Sequence, residues 1–177
     1  MKIKNINIVS ALLLGAVLIF SSCRKDDGAI PDRVSITDIP VITTDKDATG
    51  SASVSLASPG SFAGKFKISL YFPDATPPTK VDVVVRKNPS TSTITNNNVK
   101  VYKAGVTSLP ASYTITAAEL STLFGAPLVA NEIYDFATDI YVGDKKYEAF
   151  PVVGTGTGAG VKGMPYFSEF ARFDVKP

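Results

Sequence analysis

The chain has 177 residues, 45% of them apolar, with 18 Lys and Arg against 16 Asp and Glu. It has no His, no Trp and a single Cys, which removes the usual general base, the commonest metal ligand, any thiolate zinc site and any internal disulfide. Nearly balanced charge offers no electrostatic case for nucleic acid, and the missing Trp removes the strongest stacking platform for a sugar ring.

The N-terminus carries the most specific local pattern. Lys2 and Lys4 are followed by an apolar run from Ile8 to Phe20, broken by Ser10, and Ser21-Ser22 stand directly before Cys23. A basic start, a short apolar stretch and small residues at the junction make a secretory signal. The run falls short of the roughly 20 apolar residues that a spanning helix needs. With cysteine at the junction it resembles a bacterial lipoprotein signal, which implies cleavage after residue 22 and acylation of Cys23, palmitate being one such chain. The rival reading is a plain secretory signal with an incidental Cys23. The lipoprotein reading implies an outer-membrane protein at the surface of a Gram-negative cell, and Lys2 and Lys4 leave with the signal.

Residues 23–38 form a charged tether without periodicity, including Arg24-Lys25-Asp26-Asp27-Gly28 and Pro31. Such composition favours disorder. Its charge just after the acylated cysteine resembles the export signal of Bacteroidota surface lipoproteins, and an ordinary solubilising linker remains the alternative.

From there to Pro177, residues 39–177 read as one all-β domain. Phe66, Ile68, Leu70 and Phe72 alternate with polar neighbours and predict one buried strand face. Val81, Val83 and Val85 repeat the pattern, with Asp82, Arg86 and an anomalous apolar Val84 pointing outward. Asn96-Asn97-Asn98 predicts a turn before a strand at Val99–Tyr102. Tyr134, Phe136, Ile140 and Val142 share a face, and Gly143-Asp144 turns the chain into a strand over Lys146–Phe150. Phe167–Val175 supplies a last strand. About seven or eight short strands with frequent turns indicate an antiparallel sandwich or barrel and not an α/β sheet.

One helix interrupts the strands. Thr116-Ala117-Ala118-Glu119 fits a capping box, Leu120, Leu123 and Phe124 form an apolar stripe, and Gly125 and Pro127 end it. Such a helix suits a short crossover capping one end of the core. The stretch Pro110-Ala111-Ser112-Tyr113-Thr114-Ile115-Thr116-Ala117-Ala118-Glu119-Leu120, with the lipoprotein start, resembles the N-terminal immunoglobulin-like domain of SusE-type outer-membrane lipoproteins. Those serve Bacteroidota glycan-uptake systems. The family binds glycan through separate downstream domains, so the resemblance implies an immunoglobulin/fibronectin-III-like antiparallel sandwich and a transporter as neighbour, but no sugar site.

Candidate sites are few. Asp135, Asp139 and Asp144 are the acids grouped closely enough to suggest calcium, which wants 6–8 oxygens; the competing expectation is solvated charge on an exposed sheet face. Asp135 and Asp139 lie about 13 Å apart along a strand, too far for the roughly 5–9.5 Å that glycosidase carboxyl pairs need. The alternating glycines Gly154 to Gly160 lack the helix and Gly-Lys-Ser/Thr ending of a phosphate loop and predict a plain loop. It leads into Met164-Pro165-Tyr166-Phe167, an apolar tip suited to a partner or ligand. Tyr71, Val84 and Tyr102, interleaved with Lys67, Arg86 and Lys100, are expected outward. No serine sits in a nucleophile elbow. These features predict a non-catalytic interaction module without cofactor. A direct carbohydrate-binding module using Tyr71, Tyr102, Tyr166 and Phe167 is the alternative. A small hydrolase is third, its mark two acids within about 10 Å lining a cleft.

Overall fold

A computed structural model of the chain describes residues 39–88, 98–151 and 166–177. Cys23, the tether, Asn96, Asn97, the glycine run Gly154–Gly160 and Met164-Pro165 lie outside the described residues. In chain order the elements are β1 (Ile42–Lys46), β2 (Ser53–Ser55), β3 (Ala63–Leu70), β4 (Lys80–Lys87), β5 (Val99–Val106), β6 (Ala111–Thr116), α1 (Ala117–Phe124), β7 (Ile133–Val142), β8 (Lys145–Tyr147) and β9 (Ala171–Lys176). A 3-10 turn, Pro59–Ser61, precedes β3.

Two sheets form. One is antiparallel in the order β1-β3-β6; the other runs β2-β9-β7-β4-β5, with β8 folded back onto β7. Among the described strands only the β2–β9 pair is parallel. This is the all-β sandwich that alternation predicts, and α1 carries the chain from one sheet to the other. All described residues belong to one compact unit, Ser35–Pro177.

The alternating apolar positions make the inner faces. Phe66, Ile68, Val81, Val83, Val85, Tyr134, Phe136 and Phe173 are all at most 1% exposed. Burying each such side chain contributes about 1.5–3 kcal/mol. Phe66 stacks on Phe136 at 4.8 Å, and Phe136 meets Phe173 edge-on at 5.9 Å. Gly64 is required here: a Cβ would sit 2.5 Å from Phe62 Cζ and 2.8 Å from Phe173 Cε1.

The helix forms as its sequence dictates. Thr116 Oγ1 accepts from the Glu119 N–H while the Glu119 carboxylate accepts from the Thr116 N–H, closing the capping box. Gly125 ends the helix at φ 66°, a left-handed position that favours glycine. At the start of β7 the Tyr134 hydroxyl donates to the Glu132 carboxylate at 2.7 Å, and Glu132 also accepts the Val129 N–H. Burial, then this bond, pushes the Tyr134 phenol up.

Four expectations need correction. Phe72 does not continue the buried face: β3 ends at Leu70 and Phe72 opens a turn, its carbonyl accepting from Ala75 N–H, leaving it 49% exposed. Tyr102 points inward, packing on Phe66, Tyr113 and Phe136, while Val101 takes the outward place. The strand predicted over Lys146–Phe150 is only Lys145–Tyr147, after which Phe150 is buried. The last strand begins at Ala171, not Phe167.

Candidate functional site

The outer face of the larger sheet holds most of the acidic candidates. Pairing of β4 with β7 sets Asp82 opposite Asp139, Val84 opposite Ala137 and Arg86 opposite Asp135. Outward-facing carboxylates would stay hydrated, yet here they are 8%, 5% and 0% exposed for Asp82, Asp139 and Asp135. The reason is a second small core: Val84, Ala137 and Phe150 pack together there with Val99, Ala149 and Phe170. The expectation of solvated charge on an open face is therefore wrong for Asp135 and Asp139, and holds for Asp144, which is exposed.

Each buried acid is matched by donors. Asp135 takes Arg172 through two bonds, Nε at 2.7 Å and Nη2 at 2.9 Å, and Arg86 Nη2 at 3.4 Å. The two guanidiniums lie over Phe170 and Phe150, at 4.9 and 4.2 Å from the ring centres. Asp139 accepts the Ala149 N–H at 2.9 Å and pairs with Lys146 at 2.9 Å, an ammonium whose pKa that bond raises. Asp82 accepts the Gly105 N–H at 2.7 Å and the Tyr141 hydroxyl at 2.8 Å. Burial works to raise the Asp82 pKa, but these two bonds and nearby Lys80 and Lys146 outweigh it and hold it below the usual value.

The calcium candidate is not assembled. Asp135 and Asp139 are engaged by cations, Asp144 sits apart in the exposed β7–β8 turn, and among the described residues no group of acids is placed to hold a metal. The hydrolase mark is met only in its distance. Asp82 and Asp139 face each other across two strands, where opposed residues lie about 4.5–5.5 Å apart. Yet Asp82 is driven away from the neutral range that suits an acid catalyst. The Asp82–Asp139 pairing was missed because Asp82 lies on another strand. Val84 and Ala137, two apolar residues in an outward row, were the available sign that this face is covered.

An apolar concavity stands at one end of the sandwich. It lies between the Pro59–Ser61 turn and α1, holds about 380 Å³, and is lined by Leu56, Pro59, Ala117, Ala118, Pro127 and Leu128 together with Gly60 and Ser121. None of these side chains titrates.

The aromatic candidates separate. Val84 and Tyr102 are buried or turned inward, so the expected patch with Tyr71 does not exist. Tyr71 instead lies at the end of the smaller sheet, meeting Phe72 edge-on at 4.8 Å and Phe167 edge-on at 5.6 Å. Tyr166, next to Phe167, is 97% exposed. Ser168 fixes this segment beside β1: its carbonyl accepts from the Thr44 N–H at 2.7 Å, and its N–H donates to Thr43 Oγ1 at 3.0 Å. The structure thus brings together Tyr71 and Phe167 and adds Phe72, with Tyr166 protruding as the chain neighbour of Phe167. No helix among the described residues is long and apolar enough to cross a membrane. No family model, no curated protein and no solved structure matches the chain.

Proposed function

We propose that the protein is a lipid-anchored envelope module that acts by contact and not by catalysis, beside an outer-membrane glycan importer. The observation that carries the non-catalytic part is the state of the buried acids. Asp82, Asp135, Asp139 and Glu132 are each engaged by donors, and those donors hold Asp82 and Glu132 below the usual carboxylate pKa. The address rests on the basic start, the apolar run and Cys23. The importer rests on the resemblance of Pro110–Leu120 to SusE-type lipoproteins.

The test has two parts. The full chain is expected in the membrane fraction and its Cys23→Ser variant in the soluble one; a variant that stays with membranes overturns the anchor. Cross-linking of the anchored protein in its own cells should capture an outer-membrane transporter. Tight oligosaccharide binding by the purified chain, lost in Tyr71→Ala and Tyr166→Ala, would instead favour a direct glycan module. The exposed ring of Tyr166 and its neighbours gives that second reading its one structural support.

A further inference from the structure

We infer that the aromatic end of the sandwich, Tyr71, Phe72, Tyr166 and Phe167, rests on the lipid surface to which Cys23 is attached; this rests on the anchor proposed above. The first observation is where the chain comes in. The Val41 carbonyl accepts from the Tyr71 N–H at 2.9 Å, continuing the β1–β3 ladder by one pair. The path back to Cys23 therefore leaves the sandwich beside the cluster. The second observation is the cluster's composition and exposure. Phe72 is 49% and Tyr166 97% exposed; the phenol of Tyr166, with an apolar body and a polar tip, favours the boundary between headgroups and acyl chains, and the wholly apolar Phe72 ring favours the acyl side of it.

The place where the chain joins the sandwich decides which end meets the membrane. Only fifteen residues lie between Cys23 and Ile39, and they lead into the sandwich at its aromatic end. The ten-residue β7 makes the sandwich about 33 Å long at 3.3 Å per residue. The aromatic end is thus the nearer end to Cys23 along the chain, and the α1 end is the farther. Tethering through so few residues gives an effective concentration on the order of millimolar, so a contact too weak to bind free protein still persists. Charges at this end, Lys80 and Lys145 against Asp74 and Asp144, offset each other. The contact is apolar and survives high salt.

The chain contains no Trp, so one introduced indole reports one place. The lipidated full-length protein carrying Phe72→Trp, and separately Tyr166→Trp, is reconstituted on vesicles of phosphatidylcholine and phosphatidylglycerol with plain or brominated acyl chains. Val129→Trp, at the α1 end and 57% exposed in the parent, is the control. Both aromatic-end indoles should emit at shorter wavelength and lose most of their intensity to brominated lipid in low and high salt, while Val129→Trp is unaffected. Protein that floats with vesicles but is not quenched overturns the lipid contact and leaves the anchor standing. A blue shift that follows protein density, or added oligosaccharide, without a bromine effect overturns it in favour of a second copy or a sugar. Protein that fails to float removes the anchor and the contact together.

Discussion

Replacing Asp135 by Asn tests whether the ion cluster under Phe150 and Phe170 holds the larger sheet together. Asp135 is fully buried and receives three guanidinium N–H bonds, two from Arg172 and one from Arg86. Asn keeps the shape but removes the charge and replaces one accepting oxygen with a donor aimed at a cation. Arg172 is 43% exposed at its side chain and regains water, whereas Arg86 is 15% exposed and does not. Breaking a buried pair from one side costs about 3–5 kcal/mol. Because one of the two cations is rescued by solvent, the expected loss is near the low end, about 3 kcal/mol. Arg172→Met should lose less, about 1 kcal/mol, because Arg86 still faces the carboxylate. Joint replacement of Asp135, Arg86 and Arg172 by Leu, Met and Met should fall within about 2 kcal/mol of the parent, since the whole charged group is removed. Urea unfolding of the full chain followed by far-ultraviolet circular dichroism measures all three. An Asp135→Asn protein within about 1 kcal/mol of the parent, at unchanged denaturant slope, refutes the assignment of a buried, charge-dependent cluster.

Three further outcomes are expected. Thr44 faces the core opposite Ile68, fully buried, and its Oγ1 finds no partner among the described residues; Thr44→Val should therefore stabilise by about 1 kcal/mol in the same unfolding assay. Gly64→Ala drives a methyl into Phe62 and Phe173 and should destabilise by about 1–3 kcal/mol, seen as an earlier thermal midpoint. Asp82 and Glu132 both have lowered pKa values, burial being outweighed by Gly105 N–H and Tyr141 at the first and by Lys87, Tyr134 and Val129 N–H at the second. A depressed carboxyl pKa contributes stability above the unfolded value and loses it as pH falls through the folded one. Unfolding free energy should thus be flat between about pH 5 and 8 and decline below about pH 4, with a shallower decline in Asp82→Asn and Glu132→Gln.

The inner faces were legible because period-2 alternation reports burial whenever a strand has one covered side. Phe66 with Ile68, Val81 with Val83 and Val85, and Tyr134 with Phe136 all follow it. The capping box was legible because every group in it lies within four residues. What escaped depends on partners distant in sequence. Phe72 fits the alternation of β3 but turns away where the ladder with β1 runs out. On edge strand β5 the sequence offers Val99 with Val101 or Lys100 with Tyr102 as the inward pair. Register irregularities against β4 and the reach of the Tyr102 hydroxyl to the Thr114 carbonyl select the second phase at Tyr102. The covered outer face is the largest miss. Phe150 lies in the excursion between β8 and β9, and nothing near it in sequence says that it folds back over Val84.

That covering also directs attention in any search for function. A sandwich offers a partner its faces, its edges or its ends. Here the inner faces form the core, and the outer face of the larger sheet is occupied by Phe150, Phe170 and a charge cluster whose acids have their donors. The two ends of the sandwich differ in chemistry. One presents the apolar hollow against α1, lined by small and aliphatic side chains that do not titrate. The other presents protruding rings beside the point where the N-terminal chain joins β1. A hollow receives a side chain from a partner, whereas protruding rings enter a soft phase or lie flat on a ligand. If lipid takes the aromatic end, the hollow is the end turned outward, and a substitution that fills it, such as Ala118→Leu, should abolish capture of the transporter while leaving flotation on vesicles intact.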